Sequence, residues 1–229
     1  EVMAAMFPTA RIRLWDLPVR LFHWALVALI VCAWWTAENH LISWHRLTGY
    51  TILTLVLFRI VWGFVGSTTA RFSHFLRGPG AVGAYVGGHM FRRGSPGHAG
   101  HNPLGGWSVV AMLGLLLLQV LLGFFSVDVD GLESGPFAYL VSFDTGRWAA
   151  ETHELVFNLL LALIGLHVLA ILFYRVVRGE NLVGAMVSGS RRWTGTAPIL
   201  RFTSPLLALV VLAGAALLVW AVVGLFGKV

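Results

Sequence analysis

THELVFNLLLALIGLHVLAILFY, residues 152–174, is a stretch long and apolar enough to cross a bilayer, and it carries two histidines, His153 and His167. The fourteen-residue step from one to the other makes nearly four helical turns, so both imidazoles leave almost the same face. Along the helix they stand about 21 Å apart. Ionisable side chains inside a membrane span are costly and read first as functional. Two of them, near opposite edges of the hydrocarbon layer, point to two metal centres, one above the other.

The rest of the chain supports a membrane setting. It is 58% hydrophobic and only 11% charged, with a mean hydropathy of +0.80. A soluble domain carries about 25% charge. Apolar runs near the spanning length of about 20 residues fall at 21–36, 44–66, 104–126, 152–174 and 203–226. No alternating ten-residue pattern appears, which argues against a β-barrel. The expectation is an all-α integral membrane protein: a four-helix transmembrane bundle plus a fifth, C-terminal transmembrane helix.

A net charge of +6 and a pI near 10.4 could be taken for a nucleic-acid signal, but the distribution says otherwise. The 67–103 connection holds Arg71, Arg77, Arg92 and Arg93 and no acid. Arg175, Arg178, Arg191, Arg192 and Arg201 lie between spans four and five, against Glu180 alone. The other side carries Glu38, Asp128, Asp130, Glu133, Asp144, Glu151 and Glu154, with Arg147. This is the positive-inside pattern; it expects a multi-pass protein of the bacterial inner membrane with a cytoplasmic N-terminus and an outer C-terminus that includes Lys228. Membrane lipid, and no nucleic acid, is the implied surroundings. The one cysteine, Cys32, excludes an internal disulfide, a cysteine-ligated cluster and covalent haem attachment within this chain. Span one ends in bulky residues, Ala33-Trp34-Trp35-Thr36-Ala37-Glu38, so it is expected to remain as an anchor rather than be cleaved.

Four regions follow. Residues 1–20 read as a cytoplasmic interfacial segment, with Arg11, Arg13, Trp15, Asp16 and Arg20. Residues 21–180 form the membrane bundle, whose first two spans join by a short turn as a hairpin. Residues 181–202 read as a basic cytoplasmic linker and 203–229 as the fifth span. The glycine-rich 67–103 connection, with Pro79 and Pro96, is expected to be partly mobile. No loop is large enough for a soluble catalytic domain.

Four of the nine histidines fall within the spans: His23, His45, His153 and His167. Topology sorts them by depth, His45 with His153 toward the outside and His23 with His167 toward the cytoplasm. Counted back from a turn near His40, His23 is about 25 Å deep and His45 about 7 Å. That separation, about 18 Å, approximates the 21 Å step on span four. Imidazole pairs at matched depth on facing helices suit a flat metal macrocycle. Haem iron fits, because neutral imidazole binds iron well and the porphyrin is largely apolar. With both axial positions filled by protein, electron transfer is favoured over oxygen chemistry. For any one histidine, an interfacial or hydrogen-bonding role is as good a reading, and the outer pair lies close to the interface.

Arg59 repeats the fourteen-residue step after His45, which sets it level with the inner pair. It calls for an anion such as a haem propionate, or else snorkels to headgroups. Arg46 and Arg20 lie near the outer and inner sites, with propionate contact or an interfacial position as alternatives. Gly49, Gly114, Gly123 and Gly165 either admit a porphyrin or permit close helix packing. Gln119 reads as a hydrogen bond within the bundle, and His98 and His101 as solvated loop residues.

Trp15-Asp16-Leu17-Pro18-Val19-Arg20-Leu21-Phe22-His23-Trp24 resembles the first-helix signature of a bacterial di-haem cytochrome b family. Trp44-His45-Arg46-Leu47-Thr48-Gly49-Tyr50, with Phe58-Arg59-Ile60-Val61-Trp62-Gly63, resembles its second helix. Glu151-Thr152-His153-Glu154 with His167 resembles its fourth, so the similarity covers roughly residues 11–180. The family includes bacterial cytochrome b561 and the b-type subunits of membrane-bound nickel–iron hydrogenases. The resemblance implies two non-covalent b haems with His23, His45, His153 and His167 as axial ligands. It also implies electron exchange between the quinone pool and a redox partner.

The leading expectation is therefore an electron-transfer subunit of a membrane oxidoreductase complex. It would link quinone to a periplasmic or membrane redox subunit such as a c-type cytochrome or a hydrogenase. The acidic 127–151 segment offers a dock for a basic cytochrome, though topology alone also predicts few positive charges there. A quinone site near the inner pair would be bordered by Arg20, Asp16 or Arg59. Alternatives are a stand-alone quinone-linked oxidoreductase, a metal or proton transporter, for which mid-membrane acids are lacking, and a haem-free anchor.

Overall fold

Asp16 starts the first membrane helix. Its Oδ1 accepts the Val19 N–H at 2.8 Å, and Pro18 occupies the first turn, where a missing N–H costs nothing. In the computed structural model, which describes residues 9–88, 90–91, 98–130 and 133–227, this helix is α1 (Leu17–Glu38). A turn at Asn39, His40 and Leu41, with His40 in the left-handed region (φ 54°), reverses the chain into α2 (Ile42–Val65). The other membrane helices are α5 (Pro103–Phe125), α6 (Phe143–Phe173) and α8 (Pro205–Phe226). Five helices are thus long and apolar enough to cross a membrane. Their outward faces expose Leu159, Leu166, Leu169, Leu206, Val210 and Leu217, as lipid contact requires. Trp34, Trp35, Trp44 and Trp148 are exposed toward one end, at the level of an interfacial aromatic belt.

α2 is central and packs against α1, α5 and α8, while α6 lies along α5. Ile52, Val56, Leu116, Val120, Leu160 and Val219 form the core shared by α2, α5, α6 and α8. Ala208, Ala215 and Val219 are the buried positions of α8, and such small residues let it approach the bundle closely. The fifth span belongs to this bundle. α6 has no comparable packing against the α1–α2 hairpin, and the four membrane histidines face that interval.

The helices agree with the expected spans except at the start of α6, nine residues before Thr152. Ser142 caps it, its Oγ accepting from Thr145 N at 3.3 Å, and Arg147 and Glu151 pair along it at 3.6 Å. Hydropathy does not register these polar turns. As a result His153 lies ten residues inside the helix rather than at its opening.

The described part of the basic-end connection carries regular structure. Within 67–103 there are a short 3-10 turn (Thr68–Ala70), α3 (Phe72–Phe75) and α4 (Pro79–Gly88). Arg92, Arg93, Pro96 and Lys228 lie outside the described residues. Strand β1 (Thr9–Arg13) pairs antiparallel with β2 (Ser190–Thr194), placing Arg11 opposite Arg192, and α7 (Leu182–Ser188) precedes β2. The segments read as separate interfacial and linker pieces are thus joined, since strand pairing satisfies backbone groups that neither can satisfy alone. α6 ends in a wider turn (Tyr174–Arg178), where Glu180 pairs with Arg178 at 2.9 Å and with Arg191 at 3.3 Å.

Asp16 couples this end to the core, because its Oδ2 accepts the indole N–H of fully buried Trp62 at 3.0 Å. Asp16→Ala removes a helix cap and strands a buried donor. The expected loss is about 2–4 kcal/mol, the sum of about 1 for the cap and 1–3 for the donor. Asp16→Asn, which keeps a capping oxygen, should lose less. Thermal unfolding in detergent measures both.

Candidate functional site

The four membrane histidines form two facing pairs. At the acidic end His45 of α2 meets His153 of α6, with ring centres 6.1 Å apart and planes at 76°. His45 Nδ1 lies 2.9 Å from the Ala33 carbonyl and His153 Nδ1 lies 2.8 Å from the Gln119 carbonyl. A carbonyl can only accept, so both Nδ1 atoms carry the proton and both Nε2 lone pairs are free to bind a metal. The pair borders a cavity of about 330 Å³, within the size class of cofactor sites. Gly49 and Gly123 line it, and Glu38 and Glu154 are at its wall. A Cβ at Gly123 would stand 3.1 Å from Cε1 of His153, so this glycine makes room for the imidazole. Gly49, Gly114 and Gly165 face open space, which replaces the helix-packing reading at those three positions.

At the basic end His23 of α1 meets His167 of α6, ring centres 6.4 Å apart and planes at 52°. His23 Nδ1 is buried without a hydrogen-bond partner, and Trp24 packs edge-on against its ring at 4.9 Å. A metal bonded to two imidazoles at about 2.0–2.1 Å, with about 1.1 Å from each nitrogen to its ring centre, sets the centres about 6.3 Å apart. Both pairs have that spacing. Among the described residues no three of His, Cys, Asp and Glu converge. Two imidazoles alone would leave most of a metal's positions open, and a porphyrin would supply four nitrogens there. The residues fit haem.

The three arginines differ in position. Arg59 is 3% exposed, its NH1 has no partner, and its guanidinium lies 5.3 Å over the ring of Phe72. Burial replaces the snorkelling alternative. Arg46 lines the acidic-end cavity and donates to the Ser134 carbonyl at 3.0 Å. Arg20 is engaged elsewhere: Nε donates to the Met186 carbonyl at 3.2 Å and NH2 to that of Val187. Its guanidinium thus ties α1 to α7, a structural role not expected from sequence. Asp16 has both oxygens occupied, by Val19 and Trp62.

Gln119 and His101 also depart from their readings. The Gln119 side-chain oxygen is buried without a partner, and its backbone carbonyl serves His153 instead. His101 is no solvated loop residue. Its ring packs against Trp15 at 4.9 Å and Phe75 at 4.7 Å, and its Nδ1 is buried without a partner. Burial, reinforced by Arg59, His167, His23 and His74, holds its pKa down at about 3. The available signal was position, since His101 comes directly before Asn102-Pro103, the start of span three at the depth of the inner pair.

A family model for prokaryotic cytochrome b561 matches residues 14–189. The chain belongs to this family. Comparison with curated proteins and with solved structures gives no match. Membership, with five apolar helices, makes it a multi-pass membrane protein that binds b-type haem and serves transmembrane electron transfer. Those properties set aside the haem-free anchor and the metal or proton transporter.

Gly123→Val tests the cavity directly. The added side chain displaces His153, so the haem-to-polypeptide ratio of purified protein falls. Gly214→Val, on an exposed face of α8 with nothing within 4 Å of its added Cβ, leaves the ratio unchanged.

Proposed function

We propose that the chain holds two b-type haems, one between His45 and His153 and one between His23 and His167. It carries electrons across the bacterial inner membrane between a redox subunit at the periplasmic face and the quinone pool. What carries this reading is the imidazole geometry: separations of 6.1 and 6.4 Å at two levels of one helix, fourteen residues apart. When bound between these histidines, each haem would supply a one-electron iron couple suited to electron transfer.

The residues contribute in different ways. The carbonyls of Ala33 and Gln119 orient His45 and His153 and raise their basicity as ligands. Arg46 is the propionate partner at the acidic end and Arg59 at the basic end. Arg20, already committed to α7, contributes through the position of α1. The basic excess of the 67–103 and 175–201 segments supports a cytoplasmic basic end. Periplasmic docking then falls on the acidic segment 127–151, and a c-type cytochrome or a hydrogenase is the partner of matching chemistry. Quinone approaches the basic-end pair. The chain serves as the electron-transfer subunit of an oxidoreductase complex.

Haem quantification with single substitutions is the decisive experiment. The wild type should contain two haems per polypeptide, and His167→Ala and His153→Ala about one each. Full haem content in either variant would sink the ligand assignment. The couples should also differ. Arg59 places positive charge near the basic-end pair and disfavours ferric iron there, while stronger ligand basicity favours it at the acidic end. A redox titration should therefore show two waves, with His167→Ala removing the higher.

A further inference from the structure

Besides the paired histidines, the basic end holds two buried nitrogens without partners, Arg59 NH1 and His101 Nδ1. We propose that Arg59 and His101 together form the seat for a carboxylate of the basic-end haem, with His101 as a hydrogen-bond donor. This deepens the function proposed above and rests on its placement of a haem between His23 and His167.

Arg59 is a buried cation that makes no direct ion pair. None of the ion pairs among the described residues includes it. The nearby carboxylate, Asp16, acts on it through space while its two oxygens accept from Val19 N and Trp62 Nε1. A buried guanidinium without a direct hydrogen-bonded anion is costly, and an anion placed at its free nitrogen removes that cost. The face of Phe72 offsets only part of that cost.

His101 is positioned deliberately. His74 Nε2 holds the Ala99 carbonyl at 3.0 Å, and Gly100 turns through φ 109°, a conformation that side-chain-bearing residues rarely adopt. Asn102 then caps α5 by accepting from Gly105 N at 2.8 Å. The imidazole is thereby fixed against Trp15 and Phe75. Phe75 contacts Phe72 at 5.7 Å, so Arg59 and His101 lie along one aromatic wall. Charged or titratable groups bearing on His101 are Arg59 from α2, His23 from α1, His167 from α6 and His74 from α3. In either protonation state the imidazole has an N–H to give. A buried cation beside a buried N–H donor is the donor set of a carboxylate site. An anionic ligand matches this set best, because it gives the unpartnered guanidinium nitrogen a charged acceptor where Asp16 makes no direct pair.

The test uses membrane protein produced with haem carrying 13C in its carboxyl groups. In redox-difference infrared spectra, a label-sensitive carboxylate band is expected in the wild type. The band should shift in His101→Leu and in Arg59→Met, and remain near its wild-type position in His101→Gln and Arg59→Lys. Arg59→Met should also lower the potential of the wave assigned through His167→Ala by at least tenfold in the redox equilibrium, 59 mV for one electron. A carboxylate band that moves in these variants but ignores the label would assign the anion to a lipid or free carboxylate and overturn the proposal. So would a labelled band indifferent to His101→Leu. If His167→Ala keeps full haem content, the haem placement fails instead, and that result is separate from either infrared outcome.

Discussion

Fourteen residues of α6 set His153 and His167 about four turns apart on one face, and the rest of the bundle is arranged to meet them. A helix cannot change its rise, so the opposite side has to present imidazoles at the same two levels. It does so with a hairpin. His23 rises on α1 from the Asp16 cap, and the turn through His40 returns the chain so that His45 comes early in α2. The Asp16–Trp62 bond then closes the hairpin at its open end. α5 braces α6 from behind and α8 braces α2, which leaves the histidine-bearing faces turned toward each other.

The two levels differ in how their imidazoles are held. At the acidic end each Nδ1 is bonded to a main-chain carbonyl, which fixes tautomer and ring orientation at once. At the basic end His23 Nδ1 is unpartnered, and the polar resources of the region are Arg59 and His101. Under the proposed ligation, one site is tuned through its ligands and the other through the charge beside it, and this difference separates the two couples without any change in the axial residues.

Much of this was legible in sequence because hydropathy and the helical repeat are local signals. The five spans, the depth pairing of His23, His45, His153 and His167, and the level of Arg59 all follow from counting along helices. Features that depend on contacts distant in the chain could not be read the same way. β1 and β2 lie far apart in the sequence, and the short alternation of Ala10, Ile12 and Leu14 with Arg11 and Arg13 does not name its partner. Arg20 resembled a ligand-binding arginine until α7 supplied carbonyls for it. The first turns of α6 carry Asp144, Arg147 and Glu151, so a hydropathy window passes over them. His101 was hidden by its neighbours: a glycine-rich stretch looks solvated unless the turn at Gly100 is known.

Asn102 joins several of these long-range features. Its side-chain oxygen caps α5, and its amide donates to the Tyr174 hydroxyl at 2.7 Å, which is also bonded to the Tyr85 hydroxyl. Tyr174 lies seven residues beyond His167, two turns along the same helix. The loop carrying His101 is therefore keyed to the helix carrying His167, and α4 is keyed to both. A buried, mutually satisfied polar group holds position more strictly than apolar packing, because displacement leaves donors unpaired in a region where lipid offers none. His101 and His167 are thus referenced to one hydrogen-bonded node. That precision is unnecessary for a loop that merely covers the end of a bundle. It is required if the loop contributes a donor to the same site as the helix.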